Sequence, residues 1–320
     1  QLELVKLHRR AGALEPLVDL LAELWPRLEG NGRTSARREY AEGALTLGRT
    51  QAAMDALRSI LTDVPDDDWA AGRLLSLIPA DDTTARERLD LLGRLVLTAK
   101  GDARAELLAR RSELHRITNN LPAARADLVD AAQTSSRPLP LLRGLAELCR
   151  QSFDEAAELG AWRLVIAAAK GDVEALSDAA SRISSIARSR AGAQEPAKAL
   201  EAFELLVTLQ LPAAERFDAW YGLAQAARPS SPRRAEEALL EASKQGPAPK
   251  RVEALVERAT LLEARGAADD AVSTWEAALA LAPRHPQALD GLKRNLRSLS
   301  DWEGLAEVLG DVLERVFGAA

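Results

Sequence analysis

The stretch from Val252 to Pro283, VEALVERATLLEARGAADDAVSTWEAALALAP, decides the fold. Leu255, Ala259 and Leu262 recur at helical spacing and share one face of a first helix. Ala271, Trp275 and Ala278 do the same on a second. Gly266 lies between them, where the chain must reverse, and Pro283 follows where the second helix has to stop. Small residues sit where two helices approach closely and a large apolar one fills the gap. The pattern is a packing code for a helical hairpin.

The same code can be laid upstream. Tyr40, Ala41, Gly48, Ala53, Leu57 and Pro65 repeat it, with Trp69 opening the next first helix. Leu108, Ser112, His115, Asn119, Ala124, Leu128 and Ala131 form another unit, with asparagine at the turn because it tolerates the left-handed conformation. Ile183, Ala187, Ala199, Phe203 and Pro212 outline one with a loose turn from Ala191 to Pro196. Trp220, Leu223 and Ala224, then Ala235, Leu239, Ala242 and Pro247, make one more, interrupted by Pro229, Ser230, Ser231 and Pro232. Between Leu139 and Gly171, Phe153 and Trp162 keep helical periodicity and lose the register. Thr134 to Pro140, TSSRPLP, reads as a hinge or a change of stacking angle.

In its small crossing residues, turn glycine and closing proline, this spacing resembles the tetratricopeptide repeat, a helix-turn-helix unit of about 34 residues. Leu255 stands where that repeat usually has tryptophan, and Arg258 where it has leucine. Each hairpin alone exposes an apolar face that stacking buries. The expected fold is all-α, an α-α superhelix or tetratricopeptide-like solenoid of about eight or nine hairpins. Its expected organisation is N-terminal repeats over 1–133, a divergent helical segment or hinge over 134–172, and C-terminal repeats over 173–320.

Composition agrees. Hydrophobic residues make up 47% of the 320 and aromatics only 4%, a balance that suits close helix packing through alanine and leucine rather than sheets. The net charge of -6 gives no whole-chain reason to expect nucleic acid or an anionic membrane. No apolar run reaches membrane-spanning length, Leu164 to Ala169 being the nearest. A soluble, cytoplasmic segment is the expectation. The single cysteine, Cys149, forbids an internal disulfide and lies in an apolar stretch, where it reads as an inert buried thiol. The abundance of arginine over lysine points to a bacterium with a GC-rich genome. The chain opens on Gln1 inside a helical pattern, as a fragment of a larger protein would.

Motifs that could carry chemistry reduce to structure. Gly43 to Thr50 differs from a phosphate-binding loop at one residue, Arg49 in place of the lysine, but no strand precedes it and Gly48 already serves the repeat turn. His8, His115 and His285 are too scattered for a metal site. His115 reads as an inter-helix histidine and His285 as an exposed loop residue. Asp66, Asp67 and Asp68 lack the ligand spacing of a calcium loop and fit a helix start, where carboxylates cap free amides. No catalytic, cofactor-binding or metal residues are assigned, no cofactor is expected, and the chain is read as non-catalytic.

The resemblance implies a concave groove lined by the outward face of the first helices. Helical offsets nominate Arg38, Glu42, Arg116, Arg188, Tyr221, Gln225 and Arg228 as partner-binding residues, with Glu253, Thr260 and Glu263 as further groove positions. Branches of the family that clamp a C-terminal carboxylate use lysine and asparagine where this chain has Arg38 and Glu42, so that mode is not expected. Tyr221 and Arg228, beside Trp220, are the most interface-like group, because rigid aromatics and arginine concentrate binding energy. The reading is a scaffold for a peptide, helix or protein surface, with no nucleic acid and no membrane insertion. The alternative is a sensory or regulatory segment of a larger multidomain protein controlling transcription or a kinase. Leu305, Val308, Leu309, Val312, Leu313, Val316 and Phe317 place an apolar stripe on the last helix that would also suit a homodimer.

Overall fold

Seven turns, each holding one left-handed residue directly after a helix, set the architecture. In the computed structural model, which describes residues 2–81 and 83–317, those residues are Gly12, Gly48, Asn119, Phe153, Gln194, Gly266 and Ser300, with φ from 55 to 78°. Side chains at 2, 214 and 311–317 lie outside the description. Each turn closes in one way. The amide after the left-handed residue donates back five positions, as Ala267 does to Leu262 (3.0 Å), Asn120 to His115 (2.7 Å) and Asp154 to Cys149 (3.1 Å). This is the Schellman closure, which satisfies carbonyls that a helix end would leave bare. About 34 residues separate Asn119 from Phe153 and Gly266 from Ser300, the period of a helix-turn-helix repeat.

Among the described residues there are eighteen α-helices in nine successive hairpins, seven of them closed by these turns, with no strand. They are α1 Leu2–Ala11 with α2 Leu14–Leu24, α3 Gly30–Thr46 with α4 Thr50–Asp63, α5 Asp68–Leu77 with α6 Ala85–Thr98, and α7 Gly101–Ile117 with α8 Leu121–Thr134. Then follow α9 Leu139–Gln151 and α10 Glu155–Ala169, α11 Val173–Gly192 and α12 Pro196–Leu206, α13 Ala213–Ala227 and α14 Pro232–Ser243, α15 Ala248–Arg265 and α16 Ala268–Leu281, and α17 Pro286–Ser298 and α18 Trp302–Phe317. A short 3-10 turn at Trp25–Arg27 follows α2. The chain is an all-α array of tetratricopeptide-like hairpins.

The left-handed residue is also an origin for counting. Nine positions beyond it the second helix carries an apolar side chain in all seven turns: Leu21, Leu57, Leu128, Trp162, Phe203, Trp275 and Leu309. Five positions beyond it lie Ala53, Ala124, Ala199 and Ala271, each with no exposed surface. On this count the segment from Leu139 to Gly171 keeps the register that its sequence conceals. Phe153 stands at the turn where other hairpins use glycine, Glu158 replaces the crossing alanine, and Trp162 fills the gap. The turn from Ala191 to Pro196 is likewise tight, closed by Glu195 donating to Arg190 at 3.0 Å. Thr134 to Pro140 connects α8 to α9, and Asp102 at the start of α7 accepts from the Ser136 amide (2.6 Å) and hydroxyl (2.7 Å).

The chain divides into two compact units, unit 1 up to Ala161 and unit 2 from Trp162, the division falling within α10. In unit 1 the core of α3 to α6 is built from Ala41, Leu57, Ile60, Ala70, Leu74 and Leu91. Asp67 caps α5 by accepting the Ala70 amide at 3.1 Å, as its place before Trp69 predicts. Cys149 is a free thiol with 1% of its surface exposed, and burial pushes its pKa up, which suppresses the reactive thiolate.

In unit 2 one core runs through α15 to α18, from Leu255, Ala259 and Leu262 to Trp275, Leu292 and Leu305. Trp275 has no exposed surface, and its indole N–H donates to Glu263 at 2.9 Å. Glu263 also accepts from Asn295 and, at 3.2 Å, from Arg294, so one carboxylate ties α15, α16 and α17 together. The α17 backbone lies directly on the indole: a Cβ at Gly291 would fall 2.3 Å from the ring. Burying an indole of roughly 200 Å² is worth at most about 5 kcal/mol before its entropy cost, so this ring is the largest single contributor to that core. Val308 joins the same core, whereas Trp302 is 64% exposed. The side chains of Val312, Leu313, Val316 and Phe317 lie outside the described residues.

Candidate functional site

Three successive first helices of unit 2, α13, α15 and α17, frame an open concavity of about 710 Å³. Its floor comes from α15, where Val252 and Val256 lie one turn apart with their polar neighbours Glu253 and Glu257 beside them. Leu281 and Ala282, at the end of α16, extend the apolar surface. Arg228, the cap residue directly after α13, and Gln287, at the start of α17, supply polar edges.

His285 lies here too. It is half-buried rather than an exposed loop residue, because it caps α17: its Nδ1 accepts the Ala288 amide at 3.2 Å. That bond requires Nδ1 to be an acceptor, so in the neutral ring the proton is on Nε2.

The polar side of the concavity is organised around Tyr221. Its ring stacks on Phe217 with centroids 5.3 Å apart and planes at 18°. Its hydroxyl donates to Glu257 and stands 3.1 Å from Glu253 Oε1. Gln225, one turn further along α13, donates its amide to Glu257 Oε2 at 2.6 Å. Burial, reinforced by Glu257 and then Glu253, holds the Tyr221 pKa above its ordinary value near 10. On the neighbouring face Lys250 pairs with Asp218 at 2.6 Å and sits 4.9 Å from the centre of the Phe217 ring.

The residues nominated from sequence divide accordingly. Tyr221, Gln225 and Arg228 meet at or beside this concavity, together with Glu253 and Thr260. Arg188 is exposed on α11, its guanidinium 2.6 Å from the Ser184 hydroxyl. Arg38, Glu42 and Arg116 belong to unit 1. Arg38 bonds the buried Asp67 at 2.5 Å and lies 5.2 Å over Trp69, so it braces α3 against the start of α5. Glu42 is exposed on α3. Arg116 pairs within its own helix with Glu113 at 2.6 Å.

Sequence reasoning passed over Glu257, Val252, Val256, Leu281 and His285. Glu257 was detectable, since it falls one helical turn from Glu253 on the same face. Leu281 and His285 belong to a helix end and a connector, where helical offsets say nothing about direction.

Among the described residues no group of three or more histidine, cysteine or carboxylate side chains could hold a metal ion. No helix among them is long and apolar enough to cross a membrane.

Fold and site together define a helical-repeat protein with a groove on its first helices. No family model matches the chain, and no curated protein matches it. Solved structures with similar arrangements include MamA, 17% identical over 55% of this chain and 90% of that one, with a TM-score of 0.33. A tetratricopeptide repeat protein from Parabacteroides merdae is 13% identical over 82% and 98%, with a TM-score of 0.34. The C-terminal part of a tetratricopeptide repeat-containing protein from Cytophaga hutchinsonii is 13% identical over 91% and 99%, with a TM-score of 0.29. At these levels the repeat assignment rests on the hairpin geometry of the chain itself.

Proposed function

We propose that this protein is a non-catalytic interaction scaffold that holds a segment of a partner protein, extended or helical, in the concavity of unit 2. The observation that carries this reading is the convergence of Arg228, Glu253 and Glu257 on one open, partly apolar hollow between first helices, with the Tyr221 hydroxyl bonded to both carboxylates. An aromatic ring with a fixed hydroxyl, an arginine and an apolar floor are the ingredients of a binding hot spot. Arg228 has no ion-pair partner among the described residues, which leaves its guanidinium available to a carboxylate or carbonyl of a partner. The partner proposed is a protein or peptide, not a nucleic acid.

The test is affinity capture with the full chain, comparing wild type with the double variant Tyr221→Ala, Arg228→Ala. The variant should retain its helical circular dichroism and lose about tenfold or more in capture of whatever the wild type retains. Equal capture by the variant would remove these two residues from the binding surface.

A further inference from the structure

Glu253 and Glu257 are like charges one helical turn apart, an arrangement that is unfavourable on an isolated helix. Several other carboxylates on first helices have a cation at hand: Glu113 has Arg116, Asp218 has Lys250, and Glu263 has Arg294. No ion pair reaches Glu253 or Glu257 among the described residues. Their bonds come from neutral donors instead, the Tyr221 hydroxyl and the Gln225 amide. A phenolic hydroxyl has one proton, and here it faces oxygens of two carboxylates. Donation to Glu257 leaves the 3.1 Å approach to Glu253 without a proton of its own. The cluster is short of donors and of positive charge, and it borders the apolar floor of Val252 and Val256.

We infer that the concavity selects a partner segment carrying a basic side chain next to an apolar one. The basic group, arginine above lysine because it bonds two carboxylates at once, sits between Glu253 and Glu257. The apolar neighbour covers Val252, Val256 and Leu281. Charge complementarity specifies the occupant: the hollow offers two carboxylates against the single cation Arg228, in a chain whose net charge is -6. This inference rests on the proposed function, since it names the chemistry of the segment held at the same site.

The experiment is selection of a random dodecapeptide phage library on the full chain, followed by affinity measurements with the synthetic peptides recovered. Wild type should enrich arginine or lysine beside leucine, isoleucine or methionine. Replacing that basic residue by alanine should weaken binding about tenfold, and affinity should fall as salt is raised.

The variant Glu253→Gln, Glu257→Gln keeps acceptors and size, and it should lose both the basic preference and the salt dependence. The variant Glu253→Lys, Glu257→Lys should invert the preference toward acidic peptides. Recovered peptides that bind at the concavity without a basic residue, or with equal affinity to the glutamine variant, overturn this inference and leave the scaffold reading standing. Failure to recover any peptide sensitive to Tyr221→Ala, Arg228→Ala overturns both.

Discussion

Two sets of polar residues on first helices, one in each unit, are partnered in contrasting ways. In unit 1 three arginines brace one helix against another. Arg37 keeps only 4% of its side chain exposed, lies 4.4 Å over Trp25, pairs with Asp63 and donates to the Ser59 carbonyl at 3.2 Å. Arg38 is fixed to Asp67 and Trp69, and Arg111 clasps the buried Asp127 with two bonds of 2.8 and 2.5 Å. These groups join helices to one another. In unit 2 Tyr221, Gln225, Glu253 and Glu257 satisfy one another only in part and face an open hollow. A polar residue on a first helix is therefore no guide to binding until its partners are known. Unit 1 uses such residues for cohesion, and unit 2 leaves some of them unfinished.

The sharpest way to break that contrast is at the cores, where the units should behave alike. Trp275 and Leu57 hold the same place, nine residues beyond a left-handed glycine, and both have no exposed surface. Trp275→Ala should cost about 3–5 kcal/mol and Leu57→Ala about 2–5 kcal/mol, read as a lowered urea midpoint with an unchanged slope. A loss below about 1 kcal/mol for Trp275→Ala would show that α17 can collapse onto the space the indole leaves. Gly291, whose missing side chain admits the ring, argues against such collapse because backbone is already in contact there.

Arg37→Met tests the cohesive role directly. Methionine keeps much of the stem, so what is lost is the bond to the Ser59 carbonyl, the pairing with Asp63 and the cation over Trp25. Asp63 is more than a third exposed and water will rehydrate it, so the loss should be about 1–3 kcal/mol, below that of breaking a fully buried pair. Peptide binding to unit 2 should be unaffected. A substitution that weakened binding as much as stability would place the arginines of unit 1 in the binding function and erase the contrast.

How much of this could be read from sequence follows from the residue types involved. Gly48, Gly266 and Asn119 announce their turns because glycine and asparagine are the usual occupants of the left-handed region. Phe153, Gln194 and Ser300 adopt the same conformation, with φ of 55, 58 and 59°, and no local preference reveals them. Phe153 is 93% exposed, so its own packing cannot be the cause. The helices on either side impose the turn, at a cost of about 1–2 kcal/mol for a side chain that disfavours it. The site was legible where it depends on one helix: Tyr221, Gln225 and Arg228 share a face of α13 by spacing alone. It was illegible where it depends on several elements, since the end of α16 brings Leu281 and Ala282, and the start of α17 brings His285 and Gln287, to the same hollow as α15.

The smallest expected effect isolates the unfinished cluster. Tyr221→Phe removes one hydroxyl and keeps the ring on Phe217. At pH 8 the loss should be about 0.5–1.5 kcal/mol, the net worth of one hydrogen bond. The pH dependence is more telling. Because the folded protein holds the Tyr221 pKa above its ordinary value near 10, the protonated phenol is favoured by folding. Its contribution is whole below about pH 10 and declines as the pH climbs toward the raised folded value, while an unfolded tyrosine has already released its proton. Wild type should therefore lose stability above pH 10 more steeply than Tyr221→Phe, which cannot titrate at this position. Urea midpoints at pH 8, 10 and 11 measure the difference. Parallel curves would mean that the hydroxyl is exposed to water and that Glu253 and Glu257 do not press upon it. A peptide with a basic residue, bound between those carboxylates, should flatten the wild-type curve by supplying the charge that the cluster lacks.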